Sequence, residues 1–264
     1  RAEDGTKYLV PFVFICSLFL LWGFAHGFLD VLDKHFQDLL HVSKAQSGFV
    51  QFSLYIGYLA MAIPAGLFMQ RFGYQKGIIF GLGLFALGAF MFYPAAKFEA
   101  FVPFLIALFV LACGLAFLET AANPYSTRLG GSDQAARRIN ISQSFNGLGW
   151  ILGPLIGGLV IFGSDGEGEK FDSLVKPYMA IGIVVVIVAI IFMLVKLPEI
   201  REKSAQETEE DPPMRNLLKH PAFIAAVIAQ FLYVAAQTGT NSFFINYVID
   251  AIPDLTAPVS GIMS

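Results

Sequence analysis

Seven apolar runs follow one another along the chain, each long enough to cross a hydrocarbon layer of about 30 Å as a helix. They cover residues 8–33, 45–70, 77–96, 101–127, 139–164, 177–195 and 221–249. Backbone inside hydrocarbon must satisfy its own polar groups, so runs of this length predict an all-α polytopic membrane protein. Composition agrees. Hydrophobic residues make up 56% of the 264 and charged residues only 14%, against about 25% charged in ordinary soluble domains. The net charge of -3 comes without a basic block, so nucleic acid is not an expected partner; the lipid bilayer is. Cys16 and Cys113 lie inside apolar runs and indicate neither a disulfide framework nor a metal site. The first run is too long and uniform for a cleaved leader and reads as the first span.

Polar stretches divide the runs. Residues 1–196 read as a six-helix bundle, 197–220 as a linker carrying Glu207, Glu209, Glu210, Asp211, Pro212 and Pro213, and 221–264 as a seventh span with the start of an eighth at Pro258. The chain therefore reads as a fragment whose second bundle is truncated. Of the seventeen Lys and Arg residues, Lys34, Lys44, Lys97, Lys170 and Lys176 fall on one side of the predicted bundle and twelve on the other. Basic loops stay inside, so the amino end and the linker are expected on the cytoplasmic side.

Ionisable residues at membrane depth are few. The second, third, fifth, sixth and seventh runs contain none. The first contains His26 and Asp30, with Asp33 at its outer end, and the fourth contains Glu119 alone. A charge at the bilayer centre costs roughly 2.5–3.5 kcal/mol on insertion scales, so such residues mark a solute or proton pathway. Asp30 and Glu119 are the candidate proton-coupling groups, and the proton is the expected coupling ion in place of any cofactor. His26 shares a helix face with Asp30, four residues on. Asp33, beside Lys34 and His35, reads as a solvated helix end.

Uncharged polar residues recur at helical spacing. Gln51, Tyr55 and Tyr58 share a face of the second span, and Asn140, Gln143 and Asn146 a face of the fifth. Gln230, Tyr233, Gln237 and Asn241 do the same in the seventh. An amide stripe against lipid is costly, so these faces line either protein or water. Around a watery cavity they suit a ligand rich in hydroxyls; as interhelical links they serve packing. In the fourth span Pro124, after Asn123, removes a helical hydrogen bond just beyond Glu119 and predicts a break there. Gly149, Gly153, Gly157 and Gly158 form steps that let another backbone approach the fifth span.

The six complete spans fall into two triplets with matching features. An acid lies in the first span of each, an amide face in the second, and only apolar or small residues in the third. Inverted triplets of this kind build the halves of major facilitator transporters, with first helices on the cavity and third helices toward lipid. The residues go further. Leu21-Trp22-Gly23, Asp30-Val31-Leu32, Ile63-Pro64-Ala65-Gly66 and Arg71-Phe72-Gly73-Tyr74 resemble the bacterial fucose permease group of sugar–proton symporters. The stretch from Gly114 to Tyr125, with Glu119, Asn123 and Pro124, carries the resemblance most specifically, followed by Arg138, Asn140, Gln143 and Asn146 and by Ala236-Gln237-Thr238. The resemblance implies that Asp30 and Glu119 are the two membrane acids tied to protonation, and that Gln143 and Asn146 line the sugar cavity. The chain departs from that pattern at His26-Gly27, where the group has an Asn-Asn pair, and at Gln70, where many superfamily members place an acid.

The reading that results is a monomeric, proton-coupled importer of a monosaccharide such as fucose, galactose or glucose in a bacterial inner membrane. Its candidate sugar contacts are His26, Gln51, Tyr55, Asn123, Asn140, Gln143, Asn146, Gln237 and Asn241. No nucleophile–base pair, metal cluster or cofactor loop points to an enzyme. Two rivals remain at this level. The Gly149–Gly158 steps around Pro154 also resemble a motif of drug–proton antiporters, and a membrane sugar sensor would share the binding residues without the flux.

Overall fold

A computed structural model of the chain describes residues 8–162, 171–195, 197–198 and 219–251. Most of the linker, the run beginning at Pro258 and the basic residues Arg1, Lys7, Lys170, Lys196, Arg201, Lys203 and Arg215 lie outside them, as does the side chain of Asp33. The elements are α1 (Leu9–Leu40), α2 (Lys44–Ser47), α3 (Phe49–Phe72), α4 (Tyr74–Phe90), α5 (Phe92–Lys97), α6 (Phe101–Arg128), α7 (Ala135–Phe162), α8 (Asp172–Leu194) and α9 (Pro221–Ala251). A 3-10 turn at Ser132–Gln134 leads into α7.

Local chemistry sets several of the boundaries. Ser43 begins α2 through a capping box, its hydroxyl accepting from the Gln46 amide while the Gln46 side chain accepts from the Ser43 amide. Between α3 and α4 the chain turns at Gly73, whose φ of 88° lies in the region that favours glycine. The segments Leu9–Leu32, Lys44–Phe72, Tyr74–Lys97, Phe101–Arg128, Asp172–Leu194 and Pro221–Asn241 are long and apolar enough to span a membrane. At 28 residues α7 matches them in length, but Asn140, Ser142, Gln143, Ser144 and Asn146 make its first half more polar.

α6 forms the centre of the bundle. It packs on α3, α4 and α1, while α7 lies along α1 and α8 along α4. Lipid tails are as apolar as leucine, so these contacts depend on close fit rather than on escape from water. A Cβ added at Gly88 would meet Leu111 Cα at 2.6 Å, and one at Gly81 would meet Phe117 Cβ at 2.7 Å. Aromatic rings fill the spaces between backbones: Phe92 stacks on Tyr178 at 3.6 Å between ring centres, and Phe36 meets Phe101 edge-on at 5.3 Å. Cys16 and Cys113 are buried and unbridged.

Two expectations are corrected. Asp33 does not end its helix: α1 runs on to Leu40, because the fully buried Phe36 continues its packing onto Phe101 and Phe104. Pro124 does not break α6, which is continuous to Arg128. The neighbouring residues hold it, with Tyr125 and Ser126 buried and Arg138 donating to the carbonyls of Ser126 and Thr127 at 3.1 and 2.6 Å. α4 is half buried along its apolar window against 28% for the second span, since its glycines admit α6 on one side and Gly182 of α8 meets Phe90 on another.

Candidate functional site

The two acids are half-buried, Asp30 on α1 and Glu119 on α6. On α1, Trp22, His26 and Asp30 follow at intervals of four and so form one stripe. α3 meets that stripe through Gln51 and Tyr58, and the pairing is specific. The amide of Gln51 donates to Asp30 Oδ1 at 3.1 Å. Tyr58 Oη accepts from the Trp22 indole at 2.6 Å and shares a 3.0 Å hydrogen bond with His26 Nε2. Gln51 and His26 are buried, with exposures of 8% and 9%.

Glu119 enters from α6. It borders a small cleft with Leu18, Phe19 and Trp22 of α1 and with Leu118, Ala122 and Asn123 of its own helix. Trp22 thus touches the Glu119 cleft at one end of the stripe, while Asp30 stands eight residues away, roughly 12 Å along the axis. The acids are not a pair. A polar ladder of Gln51, His26, Tyr58 and Trp22 occupies the distance between them.

α7 supports this ladder from behind. Trp150 stacks on the His26 imidazole with ring centres 5.6 Å apart and planes 24° from parallel. A Cβ at Gly27 would meet Pro154 Cδ at 2.7 Å and the Trp150 carbonyl oxygen at 3.0 Å, so glycine at that position is what lets α7 close on α1. Asn146 is buried in the same seam and donates to the Phe19 carbonyl at 3.3 Å.

The remaining candidates are more open. Gln143 is exposed and its amide reaches Asn123 Oδ1 at 3.4 Å; Asn123 also donates to the Glu119 carbonyl at 3.3 Å. Asn140 is exposed, one turn along the same face. Tyr55 is 39% exposed and hydrogen-bonds Thr238 of α9 at 2.9 Å. Gln237 is exposed and Asn241 half-buried on that helix. The structure therefore pairs Asp30 with Gln51, sets His26 among Tyr58, Trp22 and Trp150, and gathers Glu119, Asn123 and Gln143 together. It sets Asn146 into a helix seam and leaves Asn140, Gln237 and Asn241 on open faces. Trp22, Tyr58 and Thr238 were not among the site candidates, although Trp22 falls four residues before His26, on the same stripe. Among the described residues no group of three or more His, Cys, Asp or Glu side chains is placed to hold a metal.

Comparison with known proteins agrees with this architecture. The family model of the Major Facilitator Superfamily matches residues 8–259. The chain belongs to the Major Facilitator Superfamily. Members that it resembles include the L-fucose-proton symporter of Haemophilus influenzae, 39% identical over 91% of this chain and 62% of that protein. A glucose/galactose transporter of Brucella abortus is 33% identical over 95% of this chain and 61% of that protein. Among solved structures, a substituted form of the E. coli fucose:proton symporter FucP matches with a TM-score of 0.71 and 35% identity, over 93% of this chain and 64% of that one. The chain thus spans less than two thirds of the length of these superfamily relatives, and the similarity covers a multi-pass membrane transporter fold.

Proposed function

We propose that the protein is a proton-coupled monosaccharide symporter in which these helices form the first six-helix bundle and the opening of the second. One observation carries the reading: two membrane-depth carboxyls occupy separate polar surroundings of one bundle, Asp30 bonded to Gln51 and Glu119 beside Asn123, with His26, Tyr58 and Trp22 hydrogen-bonded as a third group along α1. Asp30, held by Gln51, is the group nearer the proposed outer face. Glu119 borders a narrow crevice with Asn123 and Trp22, an amide and an aromatic of the kind that suit a sugar's hydroxyls and its apolar ring face. A carboxyl in such a site is neutral with its proton and charged without it, so loading both proton and sugar permits the bundle to rock past the membrane barrier. The relatives' names, for fucose and for glucose or galactose, support a hexose-sized neutral substrate. The proton replaces any cofactor, the membrane is the bacterial inner membrane with the amino end in the cytoplasm, and the working unit is a monomer.

The test is proton movement linked to sugar. In lightly buffered right-side-out vesicles containing the full-length transporter, adding fucose, galactose or glucose should alkalinise the medium, and a protonophore should abolish the signal. Sugar entry with no pH change would leave a uniporter. Acidification on entry of an apolar cation, with no response to any sugar, would establish the antiporter reading instead.

A further inference from the structure

Where α8 hands the chain on to the linker, two side chains from other helices hold the backbone. A helix end leaves its last four carbonyls without intrahelical partners. Gln75, the second residue of α4, reaches across to this end, and its amide nitrogen donates to the carbonyls of Phe192 and Val195 at 2.7 and 2.8 Å. Its amide oxygen accepts from the Leu197 nitrogen at 3.3 Å. Both hydrogens and the oxygen of one amide are thus engaged by backbone groups at the end of α8 and just beyond it. The next fastening comes from α6. Tyr125 is buried, its ring edge-on to Tyr74 at 6.0 Å between centres, and its hydroxyl donates to the Pro198 carbonyl at 2.9 Å. Leu197, between the two fastenings, is 6% exposed and packs into the core. α8 ends at Leu194, yet the backbone is fixed to the bundle again at Leu197 and Pro198.

We propose that Gln75 and Tyr125 form a clasp that makes the start of the linker move with α4 and α6, and so passes motion of the Glu119 helix to the second bundle. The proposal rests on the two-bundle symporter reading. Tyr125 follows Glu119 by six residues on one continuous helix, roughly 9 Å along its axis. A shift of α6 that answers the loading of Glu119 therefore carries Tyr125, and with it the Pro198 carbonyl. Gln75 keeps the chain from absorbing that shift by unwinding the last turn of α8, because the Phe192 and Val195 carbonyls would lose their partner. With the clasp closed, no slack lies between α8 and Pro198. With it open, the chain after Leu194 takes up the movement before it reaches the second bundle.

Two measurements on the full-length transporter separate the clasp from the role given to it. The first is hydrogen exchange at the Leu197 amide, read by mass spectrometry, which needs no sugar. Gln75→Leu removes the acceptor itself and Tyr125→Phe only the neighbouring hydroxyl. Exchange should rise about tenfold in the first and about threefold in the second, the scale of a net hydrogen bond. Unchanged exchange in either variant would overturn the proposal, since that side chain would not be holding the backbone. The second sets sugar affinity beside transport rate, using whichever of fucose, galactose or glucose the wild type binds. Tyr125→Phe keeps the ring on Tyr74 and adds nothing to the Glu119 crevice. Affinity should therefore stay within about twofold of wild type while turnover falls about threefold or more. Gln75→Leu should show the same split, and Tyr125→Phe, which deletes a single oxygen, decides alone if Gln75→Leu fails to fold. Turnover at the wild-type rate, or affinity lost in proportion to rate, would reduce the clasp to a helix cap. A wild type that binds none of the three sugars would refute the symporter reading, and the transmission with it, while exchange would still decide whether the clasp holds.

Discussion

Replacing Gly153 with alanine should push α1 and α7 apart. The added Cβ would stand 2.6 Å from the Phe24 carbonyl oxygen and from the Phe28 nitrogen, and 2.9 Å from the Gly27 carbonyl carbon. Comfortable carbon contacts are about 3.5 Å or more, so the overlap approaches 1 Å, and backbone atoms cannot turn aside as a side chain does. A gap of that size forfeits roughly a quarter to a half of each affected contact along the seam. The cost should fall in the upper part of the ~1–3 kcal/mol range for overpacked sites. Two neighbouring glycines provide the comparison. At Gly157 a Cβ would meet the Phe28 ring at 3.1 Å, which a small ring rotation relieves, so Gly157→Ala should cost below ~1 kcal/mol. At Gly158 nothing lies within 4 Å, and the better helix propensity of alanine should leave stability unchanged or raised by up to ~1 kcal/mol. Unfolding of the three variants in mixed micelles by titrated SDS would give the order. Gly153→Ala as stable as wild type, or Gly158→Ala as damaging as Gly153→Ala, would refute the packing described for this seam.

Other outcomes follow from the site. Asp30→Asn should abolish proton-driven accumulation while leaving sugar binding within about threefold of wild type, measured by uptake beside equilibrium binding; loss of both would mean that Asp30 contacts sugar. Gln143→Ala should weaken sugar binding by ~1–3 kcal/mol if its amide meets a buried sugar hydroxyl, and unchanged affinity by calorimetry would assign that face to packing. Single cysteines at Lys76 and Lys219 should react with an impermeant reagent only in broken cells and one at Glu99 in intact cells; the reverse pattern would invert the proposed orientation.

Much of the fold was legible because hydrocarbon imposes so few options on a chain. Runs of some twenty apolar residues have to be helices, and the described helices fall where those runs do. The errors came where packing overrode a local signal. Asp33 and Lys34 look like an exit from the membrane, but Phe36 beyond them is buried and keeps α1 helical. Pro124 costs α6 a hydrogen bond, yet the helix is continuous through it, with Arg138 bonded to the carbonyls of Ser126 and Thr127 just beyond. The acids could be found because charge in a span is rare. The ladder between them was harder, since Trp22 and Tyr58 are common residues in membrane helices and only the register of α1 against α3 makes them partners. Helical spacing also could not tell Asn146, turned into a seam, from Gln143, turned outward one turn away.

The most direct test of the account is sugar binding measured against pH in the wild type and in Glu119→Gln. In the proposed symport the coupled form is the one with Glu119 protonated, and raising the pH removes that proton. Wild-type affinity should therefore fall as pH rises, while the glutamine variant, which mimics the protonated acid at every pH, should keep its affinity and show a flattened profile. Identical pH dependence in the two proteins would contradict the account, because Glu119 would then not be the group that links proton to sugar.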